Sequence, residues 1–244
     1  MHFRIVTYNI HKGIGGLDRR YRPQRIVETL VRYKPDIVLM QEVDDMVPRS
    51  NRDCQVELFA DALGMKYHAF QHNVRLKWGH YGNAILSRFP LTDVHHVNLT
   101  IPLKKRRRAL ITHCNLRHNG HQRSMLVANV HLGLAGFERK MQLRKILDSD
   151  IIGHARRRTP MIIGGDYNDM WGTLGQRIMQ PAGFASAGEQ IRTYPAAVPA
   201  RALDRIFYRG DLKACRAFAS RLKVARQASD HLPLVADFQL LVGN

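Results

Sequence analysis

The chain is laid out as short apolar runs that stop abruptly at polar residues. Phe3 to Tyr8 ends in Asn9, Asp36 to Met40 ends in Gln41 and Glu42, Met125 to Val130 ends in His131, and Met161 to Gly165 ends in Asp166. Runs this short and this rich in β-branched residues predict strands rather than helices. Between the first two, Pro23 to Arg32 carries Ile26, Val27, Leu30 and Val31 at helical spacing, with Pro23 suited to a first turn. Further helices are expected over Gln55 to Leu63 and from Phe137 to about Arg157. The tract from Tyr81 to Leu116 alternates short apolar runs with Pro90 and Pro102 at their edges, and reads as hairpin-like strands. Crossovers together with hairpins indicate a mixed α/β chain. Polar residues at strand ends are where such a scaffold places its site.

The 244 residues are 45% hydrophobic and 24% charged, which excludes disorder, collagen-like repeats and coiled coil. With no repeat or Pro/Ser-rich linker to mark a boundary, one globular domain over 1–244 is expected. No apolar run approaches the roughly 18 residues of a membrane span, and the first residues lack the pattern of a signal peptide. The expectation is a soluble cytoplasmic protein. Three widely separated cysteines without C-x-x-C spacing lead us to expect neither a disulfide framework nor a zinc site. The net charge of +18 changes the picture most, because such a field attracts polyanions, either nucleic acid or an anionic membrane surface.

Each polar residue at a strand end has an ordinary structural explanation beside a chemical one. Asn9 suits a turn. Glu42 after four apolar residues needs a cation, a metal or a hydrogen-bond donor if it is buried. His131 by itself fits a hydrogen-bonded core histidine. In Asp166-Tyr167-Asn168, side chains 166 and 168 of an extended segment point to one side, whereas an Asx-rich turn accounts for the same residues. Asp204 opens an apolar strand, and Asp230 with His231 precedes a last one; an ion pair and a turn are the plain alternatives.

Taken in order, Asn9, Glu42, His131, Asp166 with Asn168, Asp204, and Asp230 with His231 resemble the endonuclease/exonuclease/phosphatase superfamily of phosphodiesterases over essentially the whole chain. The phrases Gly165-Asp166-Tyr167-Asn168, Leu203-Asp204-Arg205 and Ser229-Asp230-His231 carry the resemblance, and the phrases Thr7 to Gly13 and His80 to Arg88 look most like a compact bacterial branch. The resemblance implies a four-layer α/β sandwich, two packed mixed β-sheets flanked by helices, with the site at one end. It implies Glu42, Asn9 and Asp230 as metal ligands. It implies Asp166 and Asn168 orienting water and phosphate, His131 touching phosphate or protonating the leaving group, and Asp204 holding His231 as base or as cation. Oxygen donors without a cysteine cluster select Mg2+ or Mn2+. His11 and Asn129 stand where abasic-site endonucleases carry an acid and a tyrosine, which disfavours abasic-site repair.

No acidic residue occurs between Asp93 and Glu138, a tract that holds Lys104, Lys105, Arg106, Arg107 and Arg108 and ends beside His131. These five residues form either a solvated hairpin tip or a basic wall that grips a phosphate backbone. With Asn83 they are the candidate substrate contacts. Tyr81, Tyr167 and Trp171 are candidate stacking faces, and Arg156 to Arg158 are expected to complement a helix dipole. The leading expectation is a divalent-metal-dependent nuclease with nucleic acid as partner. The alternatives are a phospholipid or sphingolipid-headgroup phosphodiesterase at anionic lipid, which lacks an obvious aromatic-rich insertion here, and a non-catalytic polyanion-binding module.

Overall fold

The computed structural model describes residues 1–118 and 121–241. Among them are strands β1 (His2–Asn9), β2 (Ile37–Asp45), β3 (Tyr67–Arg75), β4 (His80–Ser87), β5 (Leu91–Asn98), β6 (Arg108–His118), β7 (His121–His131), β8 (Met161–Asp166), β9 (Ala185–Ser186), β10 (Asp204–Arg209), β11 (Leu212–Ala219) and β12 (Leu234–Leu240). The helices are α1 (Gln24–Tyr33), α2 (Gln55–Leu63), α3 (Gly136–Leu147), α4 (Asp150–Gly153) and α5 (Lys223–Ala228).

The strands form two six-stranded mixed sheets, ordered β11-β12-β1-β2-β4-β3 and β5-β6-β7-β8-β10-β9. Strand alternation sorts the apolar residues into layers. Phe3, Ile5 and Leu39 from one sheet meet Leu110, Val127 and Ile162 from the other. The opposite faces take helices: Val6, Tyr8 and Met40 pack on Ile26, Leu30 and Phe59, and Val130 and Ile163 pack on Leu143 and Ile146. This is the four-layer sandwich expected from sequence. A polar clamp crosses the middle layer beneath one end. Gln41 Nε2 donates to Asn129 Oδ1 at 2.7 Å, and Asn129 Nδ2 lies 2.8 Å from both the Met40 and Ala84 carbonyls.

Four local expectations are corrected or refined. The long helix from Phe137 breaks after Leu147, where Ser149 turns extended (φ −67°, ψ 144°) and starts the separate turn of α4. Arg156 to Arg158 therefore lie in the turn before β8, and Arg158 pairs with Asp211 rather than with a helix dipole. The Tyr81–Leu116 tract does form strands, but β4 joins the first sheet between β2 and β3 while β5 and β6 pair in the second. The segment after β8 is not extended: Asn168 is left-handed at φ 49°, and its N–H donates to Asp166 Oδ1 at 2.9 Å. The turn chemistry, not strand alternation, joins these two residues.

Candidate active site

Register brings the candidates together. His131 at the end of β7 is paired with Asp166 at the end of β8, and Asp204 at the start of β10 is paired with Asp166 from the other side. Asp166 is thus the centre of the site. Its Oδ2 accepts from Asn9 Nδ2 at 3.0 Å and lies 3.5 Å from His131 Nε2 and 3.8 Å from His231 Nε2. Asn168 Nδ2 is tied to the Leu132 carbonyl at 2.9 Å, which holds that loop against β7.

Glu42 reaches the site through a break in β2. The β2–β4 register shifts between Met40 and Val43, and Glu42 adopts φ 59°. A bulge of this kind re-aims a side chain. A left-handed conformation at a non-glycine residue is strain of the sort concentrated at functional sites. The Glu42 carboxylate is ion-paired with the Lys12 ammonium. Burial works against its charge, yet the fields of His131 and Lys12 hold it down at about 2. His131 is itself pushed well below its usual value, by burial and then by Arg107, so at neutral pH Lys12 is the cation that keeps Glu42 charged.

His231 sits at the other side of Asp166. Its Nδ1 lies 2.9 Å from Asp204 Oδ2, an oxygen that also accepts the Thr193 hydroxyl at 2.5 Å. Burial lowers the His231 pKa, but the carboxylates of Asp204 and Asp166 overcome it and raise the value to about 10. The ring is therefore an imidazolium at neutral pH. Asp166 is pushed up to about 6, first by burial, then by Asp204 against the opposing pull of His231. Asp230 takes a hydrogen bond from Ser229 Oγ at 3.4 Å, and the same hydroxyl reaches the Asn9 carbonyl at 2.7 Å, fixing the last loop to β1.

The donor set fits a hard divalent ion. Glu42, Asp166, Asp204 and Asp230 bring carboxylates, and Asn9 an amide, to one end of a chain whose net charge is +18. Among the described residues, Asp204 Oδ1 is buried without a hydrogen-bond partner. Carboxylates this crowded and dry are costly unless a cation shares them.

A cleft of about 530 Å3 opens on Glu42 and is walled by Lys12, Arg49, Lys105, Arg106, Arg107 and Tyr81. The basic tract thus divides. Lys104 instead lies over the Phe137 ring at 5.5 Å, and Arg108 Nη1 meets the His72 carbonyl at 3.5 Å. Asn83 is buried under the wall, with Nδ2 at 3.4 Å from the Arg108 carbonyl and Oδ1 without a partner among the described residues. Tyr167 is not a stacking face: it is fully buried and donates to the Ile163 carbonyl at 3.1 Å. Trp171 is 76% exposed, with Arg201 at 5.8 Å over its ring. Lys12, Arg49 and Thr193 are site residues that sequence reasoning missed. Lys12 alone had a signal, its place three residues beyond Asn9.

The model of the Endonuclease/Exonuclease/phosphatase family matches residues 6–231. The chain belongs to this family. Its members hydrolyse phosphoric esters and generally use divalent metals. The chain is 28% identical over 250 residues to the "Uncharacterized protein YbhP" of Escherichia coli K12, covering 98% of this chain and 96% of that protein. Among solved structures, an endonuclease/exonuclease/phosphatase from Beutenbergia cavernae superposes with a TM-score of 0.78 at 23% identity, over 98% of this chain and 72% of that one. ANGEL2, described as a 2′,3′-cyclic phosphatase in complex with adenosine-2′,3′-vanadate, gives 0.76 at 17% identity, over 99% of this chain and 96% of that one. These likenesses bear out the four-layer fold.

Proposed function

We propose that this family member is a divalent-metal-dependent phosphodiesterase that hydrolyses nucleic-acid phosphodiester bonds, with Mg2+ or Mn2+ held by Glu42, Asn9 and Asp230. The observation that carries this reading is the cleft in which five cations, Lys12, Arg49, Lys105, Arg106 and Arg107, lead directly to Glu42. A polyanion is the ligand such a wall suits, through phosphate contacts. The likeness to ANGEL2, a 2′,3′-cyclic phosphatase seen in complex with adenosine-2′,3′-vanadate, supports a nucleotide phosphate as the kind of ligand.

A phosphodiester anion repels a nucleophile, and a metal held by Glu42, Asn9 and Asp230 would supply positive charge to offset that repulsion. Asp166, whose proton affinity burial raises, orients the attacking water and takes its proton. Asn168, locked to Asp166 by its N–H, helps to set that position. His231, charged and aligned by Asp204, offers Nε2–H to the charge that builds on phosphate. His131 is neutral before substrate arrives and meets the phosphate as a hydrogen-bond donor; a phosphate anion at that ring raises its proton affinity and opens the route to protonating the leaving oxygen.

One observation favours the lipid-headgroup alternative. Leu103, Leu134, Phe137 and Met141 are exposed, and Lys104 over Phe137 joins the β5–β6 loop to α3, giving an apolar and basic rim near the site. An assay panel of plasmid DNA, single-stranded DNA, RNA and anionic phospholipid vesicles, each with Mg2+ and with EDTA, decides between them. EDTA-sensitive cleavage of a nucleic acid is expected. Turnover of phospholipid alone overturns the nuclease reading, and turnover unaffected by EDTA overturns the metal.

A further inference from the structure

Outside the cleft, three strands of the first sheet bring two imidazoles and a carboxylate to one point. Asp45 at the end of β2, His72 in β3 and His80 at the start of β4 present ligand atoms that all lie within 4.8 Å of one another. His80 Nδ1 is 3.7 Å from Asp45 Oδ2, and the His72 and His80 rings meet edge to face at 4.1 Å. Pairing explains the convergence: Asp45 and His80 are direct partners, while His72 faces Gly82, two residues further along β4.

The ladder irregularities put this group on the face away from the cleft. The β3–β4 register shifts between His72 and Val74, so Val74 pairs with Tyr81, and both line the cleft. Neighbours along a strand point to opposite faces, so His80 and Asp45 project from the other side. There His72 packs on Phe70, itself set against the core under α1 and α2. The bulge needs Gly82, where a Cβ would fall 1.7 Å from the Gln71 carbonyl oxygen.

We propose that Asp45, His72 and His80 form a divalent-metal site suited to Zn2+. Two imidazole nitrogens and one carboxylate oxygen match a three-ligand zinc shell with a fourth position open to water. Zinc bonds of about 2.0–2.2 Å bring the ligand atoms of a tetrahedral shell to roughly 3.5 Å apart, so closure asks side-chain shifts on the order of 1 Å. No histidine in the group spends a ring nitrogen on a hydrogen bond among the described residues. An ion here ties the ends of β2 and β4 to β3, the edge strand of its sheet. Through the opposite face of the same hairpin it stiffens the Val74–Tyr81 side of the substrate wall.

The test uses the whole chain, stripped with EDTA and desalted, and titrated with Zn2+ by calorimetry and with Co2+ by visible absorption. We expect one Zn2+ site that survives Glu42→Gln and weakens at least tenfold in His72→Ala and in His80→Ala, with a tetrahedral Co2+ spectrum lost in both. At a free Zn2+ concentration of about one hundred times Kd, the Tm of the Glu42→Gln protein should rise by roughly 5–10 °C, whereas Asp45→Asn with His80→Ala in the same Glu42→Gln background should not respond. Equal metal-free melting with and without the Asp45, His72 and His80 substitutions shows that they spare the fold. Zinc binding of wild-type stoichiometry and affinity in the His72→Ala, His80→Ala double variant overturns the site, as does loss of the zinc in Glu42→Gln alone.

Discussion

The Lys12 ammonium closes on the Glu42 carboxylate, and both residues hold left-handed backbone, at φ 63° and 59°. One lies just past β1 and the other in the bulge of β2, so two separate irregularities converge on one ion pair. A cation built into the chain therefore competes for the carboxylate that is proposed to hold the metal.

From this we expect Lys12→Met to lower the Mg2+ concentration for half-maximal activity several-fold while raising KM for a polymeric substrate. Activity measured against Mg2+ at saturating substrate separates the two effects. An unchanged or higher Mg2+ requirement would mean that Lys12 serves substrate alone.

Glu42→Gln replaces one metal-facing oxygen by an amide at nearly constant volume. Most turnover should vanish while the fold persists, although loss of the ion pair with Lys12 should lower the melting temperature. Wild-type turnover with Mg2+ removes Glu42 from the metal shell.

The imidazolium of His231 makes stability depend on pH in a stated direction. Its folded pKa of about 10 lies above the ordinary value near 6.5, so its contribution is complete below about pH 6.5 and is lost as pH rises through 10. Asp166, raised to about 6, likewise favours the folded chain most when protonated, and that contribution fades as pH rises through 6. In metal-free protein, His231→Gln should flatten the fall in Tm between pH 7 and 10, and Asp166→Asn the fall between about pH 4 and 6. His231→Ala should also cost more than about 100-fold in kcat. A loss below tenfold would return Ser229-Asp230-His231 to the role of a turn.

His131 distinguishes phosphate binding from leaving-group protonation. If it protonates the departing oxygen, His131→Ala should slow poor leaving groups far more than p-nitrophenyl esters. Equal loss on both leaves it as a phosphate contact.

Element identity was largely legible in the sequence because β-branched runs and helical spacing report burial directly. The α2 boundaries agree at Gln55 and Leu63, and His131 and Asp204 meet at Asp166 because parallel and antiparallel register carried them there. Other features arise from backbone irregularity or distant pairing, which no local pattern encodes. Glu42 faces the cleft only through a bulge, and Thr193 meets Asp204 from a loop eleven residues upstream. Likewise, Asp45, His72 and His80 share no spacing motif, since three strands must pair before they meet. Composition singled out the basic tract but treated five neighbours as equivalent, although Lys104 and Arg108 rest on Phe137 and on the His72 carbonyl while Lys105 to Arg107 line the cleft.

That division of the tract makes the sharpest prediction on substrate. Lys105, Arg106 and Arg107 line the cleft beside Glu42, whereas Lys104 rests on Phe137 and Arg108 on the His72 carbonyl. Each backbone phosphate neutralised releases counterions, and log K_obs falls against log salt by roughly 0.7 to 0.9 per contact. Replacing Lys105, Arg106 and Arg107 by Gln should therefore flatten the salt slope by about 2 to 3 units and raise KM on a polymer. Hydrolysis of a small soluble diester should change far less, because that substrate is too short to span the wall. The pair Lys104→Gln and Arg108→Gln should leave the slope within about one unit of wild type. If the two sets of substitutions flatten it equally, the +18 charge acts as a diffuse field and the cleft does not select the backbone. If instead the outer pair abolishes binding to anionic vesicles while the inner three do not, the exposed rim of Leu103 and Phe137 is a lipid surface and the nuclease reading gives way.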